Sequence, residues 1–201
     1  MSLVLLALSG NAKKVKVTID GTVYRGQSEL YLIVNEDIAN AQLIPIENSR
    51  FSTTIEVEKN SFIRLHYYKE FPERSSFVLI PDSRHITINY ETGEIIGSKL
   101  SQELKENMMF IKSLSPENFH IDVFSEDREA WAQAHKKAEQ VRARMLASQR
   151  QAIIRIIMEN PKAIFPAWIY YCYKDIINIP AEGLVEKGKK AKWIKHEILQ
   201  L

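Results

Sequence analysis

Residues 85–104, HITINYETGEIIGSKLSQEL, hold the change of pattern that decides the fold. Before Gly97 apolar residues alternate with polar ones, as Ile86 and Ile88 do. After Ser98 they recur every third or fourth position, at Leu100, Leu104, Met108, Ile111 and Leu114. A period of two marks a strand with one buried face, whereas a period near 3.6 marks a helix with one apolar stripe. The boundary at Gly97-Ser98 therefore predicts an α+β chain, with an antiparallel β-sandwich over 13–97 and a helical region over 98–201.

Upstream of the boundary, Val15, Val17 and Ile19 alternate with Lys14, Lys16 and Thr18, and Asp20-Gly21 reads as the turn that ends this strand. Further short runs follow at 30–34, 42–47, 51–57, 62–68, 77–80 and 85–90. They are separated by turn-forming groups such as Asn35-Glu36-Asp37, Glu47-Asn48-Ser49-Arg50, Pro81-Asp82-Ser83 and Glu91-Thr92-Gly93-Glu94. Such connections are too short for crossover helices, so the pairing is mainly antiparallel and two packed sheets bury the alternating faces.

Downstream, the first helix ends before Ser115-Pro116, and Ser98 or Ser101 can cap its start. A second helix opens at Ser125, with Glu126 and Asp127 at its positive end, and runs to about Glu159. Its apolar stripe is Trp131, Ala134, Ala138, Val141, Met145, Ala152 and Ile156. At 1.5 Å per residue it spans roughly 50 Å, long enough to bend, protrude or pack against a partner. Asn160-Pro161 predicts a stop and the start of a third helix, with Asn160 as its cap and Pro161 in its first turn, and with Pro166 inside it as a kink or 3₁₀ turn before the aromatic run 168–173.

A length of 201 residues, with 45% hydrophobic and 26% charged side chains, suits a folded protein that needs no disulfide or metal staple. Residues 13–97 carry 10 basic and 12 acidic side chains, and residues 98–201 carry 17 and 13. That mild excess favours acidic partners or an anionic lipid surface, and falls short of the dense basic face of a nucleic-acid binder. The densest basic cluster, 187–195, reads as a solvated helix face, or else as a partner or lipid contact with Trp193 and Ile194 inserted. Met1 to Ala12 pairs an apolar stretch with small residues, as at the end of a secretion signal, and no other segment approaches the roughly 20 apolar residues of a membrane span.

The single cysteine, Cys172, excludes a Cys-x-x-Cys pair and reads as a buried packing residue. His66 and His85 read as core or face-lining strand residues. The five histidines, at 66, 85, 120, 135 and 196, show no zinc spacing, and no nucleophile elbow or phosphate loop is present. The acid pairs Glu36-Asp37 and Glu126-Asp127 are explained by a turn and a helix start. No catalytic, cofactor-binding or metal residue is assigned.

Taken in order, several pieces resemble a known family. Val17-Thr18-Ile19-Asp20-Gly21-Thr22-Val23 and Leu30-Tyr31-Leu32 are similar to its first two strands, and Asn48-Ser49-Arg50-Phe51 to a turn before an F-x-F strand. Phe77-Val78-Leu79-Ile80-Pro81-Asp82 followed by Ile86-Thr87-Ile88 resembles its later turn and strand, with Asp82 where glycine is usual. Ile96-Gly97-Ser98-Lys99-Leu100 resembles the start of its helices, and Asn160-Pro161 a late step in them. The family is DUF4369, the domain at the amino terminus of thiol-disulfide oxidoreductases of the Bacteroidetes envelope. The resemblance implies secretion to the periplasm or cell envelope. In those enzymes a thioredoxin-like domain with a Cys-x-x-Cys pair does the chemistry, and no second cysteine stands here to carry that activity over. The expectation is a noncatalytic envelope module without cofactor that binds a protein or small ligand and not nucleic acid; the alternative is the amino-terminal fragment of a split oxidoreductase.

Overall fold

The computed structural model describes residues 13–67, 76–119, 127–186 and 190–201. The signal-like segment 1–12, the helix start at Ser125-Glu126, His120 and the lysine-rich residues 187–189 lie outside them. The chain divides into two compact units, Met1–Gln102 and Glu103–Leu201, close to the boundary that the change of period marks. It is an α+β protein.

The first unit is a sandwich of two four-stranded sheets. One contains β1 (Lys14–Thr22), β4 (Arg50–Glu58), β7 (His85–Asn89) and β8 (Glu94–Ile96) in the order β4-β1-β7-β8. The other contains β2 (Glu29–Val34), β3 (Gln42–Pro45), β5 (Ile63–His66) and β6 (Phe77–Leu79) in the order β3-β2-β5-β6. Every described pairing is antiparallel except that of β1 with β7. The inward residues of both sheets, among them Val17, Ile19, Leu30, Leu32, Phe51, Ile63, Leu65, Ile86 and Ile88, form one core. Burying each such side chain is worth roughly 1.5–3 kcal/mol, and this alternation is what the period of two encodes.

The strand β1 does not stop at Asp20-Gly21, as the turn reading expects; it runs through both residues to Thr22. Glycine is needed at position 21 for closeness. A Cβ there would overlap the carbonyl oxygen of Ile88 on β7 and lie 3.1 Å from the Phe51 ring. Gly21→Val is therefore expected to force β1 from β7 and destabilise the sandwich by about 3 kcal/mol, the upper end for overfilling packed space. Urea unfolding checks this, and an unchanged midpoint would mean that β7 can move aside.

The β3–β4 hairpin passes the chain from one sheet to the other. Asn48 and Ser49 both hold positive φ, 52° and 60°, and Glu47 and Arg50 exchange backbone bonds of 2.9 Å in each direction. Two left-handed residues match the right-handed twist of flanking strands, which is why hairpins favour this turn.

Ser98 caps α1 (Lys99–Ser113), its hydroxyl accepting the Ser101 N–H at 3.1 Å. The Ser98 hydroxyl also donates to the Ile80 carbonyl (3.1 Å), and Ser101 Oγ accepts the Ile80 N–H (2.8 Å). Asp82 Oδ2 accepts the Leu100 N–H at 2.8 Å, so the loop after β6 holds the first turn of α1 from both sides.

In the second unit α2 (Arg128–Glu159) starts at Asp127, whose carboxylate accepts the Glu129 N–H at 2.9 Å. Its stripe buries Ala138, Ala152 and Ile156 as expected, together with Gln149, Ile153 and Ile157. Trp131 departs from that stripe: it is 44% exposed and stacks on His135, one turn later, at 4.3 Å between ring centroids.

Asn160 closes α2 rather than opening the next helix, its N–H donating to Ile157 O (3.3 Å) and its Nδ2 to Ile156 O (2.8 Å). The next helix, α3 (Phe165–Ile177), begins four residues after Pro161, so Pro166 falls in its first turn. No kink results, because an N–H there would have no partner within the helix. α3 packs on α2, and Arg150 Nε donates to the Ile177 carbonyl at 2.9 Å, a cation placed at the negative end of α3. Cys172 is exposed rather than buried, although its spacing from Phe165, Trp168 and Ile169 places it along the same face of α3. In the described part of the basic tail, 190–201, 3₁₀ turns at Trp193–Lys195 and Glu197–Gln200 follow one another in place of the expected helix face, and Trp193 is fully buried.

Candidate functional site

The outer face of the β4-β1-β7-β8 sheet is polar because the residues alternating with the core are polar. Strand register arranges them in rows across the sheet. One row reads Arg50, Thr22, Asn89, Glu94; the next reads Ser52, Asp20, Thr87, Ile96; a third reads Thr54, Thr18, His85. At about 4.8 Å between strands, Arg50 and Glu94 stand about 14 Å apart, with a cation at one end of the row and a carboxylate at the other.

The β3–β4 turn borders one side, so Pro45, Glu47 and Asn48 complete a groove of 780 Å³ over the first two rows. Three carboxylates (Asp20, Glu47, Glu94), one guanidinium and several hydroxyl and amide groups line it. Such a lining can hold a polar ligand or an extended peptide through hydrogen bonds and opposite charges at its ends.

Asp20 is the most engaged of the lining acids. His85 Nε2 meets its Oδ1, and the Thr87 hydroxyl donates to its Oδ2 at 3.3 Å. This resembles an acid–histidine dyad, but the hydroxyl in reach bonds the carboxylate, not the imidazole. A nucleophile activated by that histidine would need the reverse order. The triplet instead clamps β1 to β7 across the parallel pairing. Asn89 Oδ1 accepts the N–H groups of Glu91 (2.9 Å) and Thr92 (3.2 Å), fixing the turn at the far end.

The histidines separate by environment. His66 is buried on β5 and His85 lines the outer face, the two roles that strand placement allows. His196 is buried, and its Nδ1 accepts the Ile198 N–H at 3.1 Å, capping the last 3₁₀ turn. Among the described residues no group of three or more His, Cys, Asp or Glu is placed to hold a metal ion. A smaller recess of 330 Å³ in the helical unit is lined by Tyr170, Glu182, Lys195 and His196.

Sequence reasoning missed two features. It explained Glu36 by its turn alone, yet its carboxylate is buried 2.7 Å from Arg64 Nη2. Asp37 does behave as a turn residue, accepting the Asn40 N–H at 3.3 Å. The signal was available in Arg64, a lone cation within the otherwise apolar run 62–65. The second is the tyrosine cluster of Tyr24, Tyr67 and Tyr90 with Phe51 and Phe77, whose ring centroids lie 4.7–6.5 Å apart. Burial pushes the Tyr67 hydroxyl up to about 12 and raises that of Tyr90 further, so neither ionises near neutral pH.

Comparison with protein-family models, curated proteins and solved structures gave no match.

Proposed function

We propose that the chain is a noncatalytic interaction module of the cell envelope that binds a protein segment or small polar ligand in the groove on the β4-β1-β7-β8 face. The polar groove between Arg50 and Glu94 carries this reading, because it offers charges of both signs and hydrogen-bonding groups along one sheet face. The clamp at Asp20 supports it, since both carboxylate oxygens are engaged in holding the face together. The envelope assignment rests on the resemblance to DUF4369 and on the signal-like residues 1–12. Among the described residues no helix is long and apolar enough to cross a membrane.

The test has two arms. A photo-crosslinking residue at Thr87, inside the groove, is expected to capture a defined species from the envelope fraction, while the same residue at exposed Glu182 captures none. The purified chain is expected to leave insulin disulfides at the background rate. Rapid insulin reduction, or equal capture from both positions, would overturn the proposal.

A further inference from the structure

β4 is an outermost strand, with β1 on one side and no described strand on the other. It runs nine residues, Arg50–Glu58, in continuous register with β1 and contains no proline. Proteins usually blunt so long an edge, because its open backbone groups form a template for another strand.

The hairpin shows which groups are open. The N–H and C=O of Arg50 bond Glu47 and therefore point away from β1. Backbone direction alternates along a strand, so those of Ser52, Thr54 and Glu56 also point outward. The opposite side of β1 agrees: Thr18 N–H bonds Arg84 O toward β7, which leaves the odd-numbered residues of β1 facing β4. Among the described residues no backbone bond uses the outward groups of Ser52, Thr54 or Glu56. The open stretch has defined ends, because Arg50 is held by Glu47 and the Glu58 carbonyl accepts the Ser61 N–H at 2.9 Å.

We propose that this edge pairs antiparallel with the same edge of a second copy of the chain, about a two-fold axis at Thr54. In that register Thr54 faces Thr54 of the second copy, Ser52 faces Glu56, and Arg50 faces Glu58. On the core side Phe51 faces Val57 and Thr53 faces Ile55. The three opposed outward pairs close two backbone bonds each, and every outward group between the two capped ends is used. An Arg50–Glu58 ion pair forms at each end of the ladder, and all five outer-face residues of β4 are exposed to make these contacts.

The capped ends and the charges together select this register over its neighbours. Sliding by two residues either way breaks the Arg50–Glu58 contact and leaves two of the three rungs. Sliding by one turns the core residues outward. A parallel partner would set Arg50 beside Arg50 and the glutamates beside one another, which costs energy on an exposed sheet. Two strands alone bury less than a permanent dimer requires, so the pair is expected to dissociate at micromolar concentration.

Sedimentation velocity of the full chain tests the proposal. The mass is expected to rise from 23.2 kDa toward twice that value with concentration. Arg50→Glu is expected to weaken the dimer roughly tenfold by replacing two attractions with two repulsions, and Arg50→Glu combined with Glu58→Arg restores it. In a Cys172→Ser background, Thr54→Cys is expected to give a disulfide dimer, because facing Cα atoms at about 5.5 Å suit that bond. Ser52→Cys, whose copies lie four residues apart along the ladder, is expected to give none. A monomer at all concentrations, a dimer indifferent to charge reversal, or equal crosslinking at the two positions would each overturn the proposal.

Discussion

Trp193→Ala is expected to destabilise the helical unit by about 3–5 kcal/mol, the range for emptying a fully buried tryptophan site. The indole is completely enclosed, and its ring lies 6.1 Å from that of Tyr170 on α3. The Lys192 N–H just before it bonds the Pro161 carbonyl at 2.9 Å, so the tail is tied to the turn between α2 and α3 as well as to α3 itself. Removing the indole leaves a cavity beside Tyr170 on α3. The two units need not unfold together, so urea unfolding followed by helical circular dichroism should show the transition of the helical unit moving alone. The same variant separates packing from lipid insertion. A tryptophan that anchors a membrane surface would lose binding to phosphatidylserine vesicles with little change in stability, whereas this one should lose stability with vesicle binding unchanged. The exposed Lys190, Lys192 and Lys195 remain in the variant to carry whatever electrostatic attraction exists.

The same tail shows what a sequence pattern conveys and what it hides. Alternation at Val17, Ile19, Ile86 and Ile88 names the buried face of a strand because period two is imposed by backbone geometry, whatever the neighbours. The stripe from Leu100 to Leu114 is legible for the same reason. Trp193 sits among lysines, and local composition says nothing of a long-range partner such as Tyr170. Gly21 was legible as a special position but not for the right reason, since Asp-Gly is a turn signal and the carbonyl that forbids a side chain comes from a strand 67 positions later. Pro166 misled in the same manner: its cost depends on where the helix starts, and the closing of α2 by Asn160 decides that. The groove was not legible at all. Arg50, Asp20, Thr87 and Glu94 are scattered in sequence, and only the parallel pairing of β1 with β7 brings their rows into line.

Arg64→Ala is expected to cost about 3–5 kcal/mol at pH 7, because removing one partner of a buried ion pair leaves the other charge without compensation. The side chains of Arg64 and Glu36 are 7% and 9% exposed. Glu36 cannot withdraw easily. It follows β2 in the left-handed conformation (φ 63°), strained by about 1 kcal/mol for a side chain of this kind. The preceding Asn35 is locked to Phe62, the residue just before β5, its N–H donating to Phe62 O at 2.8 Å and its Oδ1 accepting the Phe62 N–H at 2.7 Å. The pairing is close but incompletely satisfied: among the described residues Glu36 Oε1 and Arg64 Nε have no hydrogen-bond partner. Burial accordingly raises the Glu36 carboxyl above its ordinary value of 4.5, and the Arg64 charge only partly offsets the rise. The native state thus holds this proton more tightly than the unfolded chain does. The stability linked to that proton is fully present below about pH 4.5 and is lost as pH climbs through the raised native value. Without Arg64 the native value rises further, so the loss continues to higher pH. The difference in unfolding free energy between the natural chain and Arg64→Ala should be small near pH 4, where Glu36 is neutral in both, and should widen toward pH 8. Adding Glu36→Gln to Arg64→Ala removes the buried charge and should recover part of the stability at pH 8 while changing little at pH 4. A cost that stays constant with pH would show that Arg64 acts through its packed methylene stem rather than through its charge.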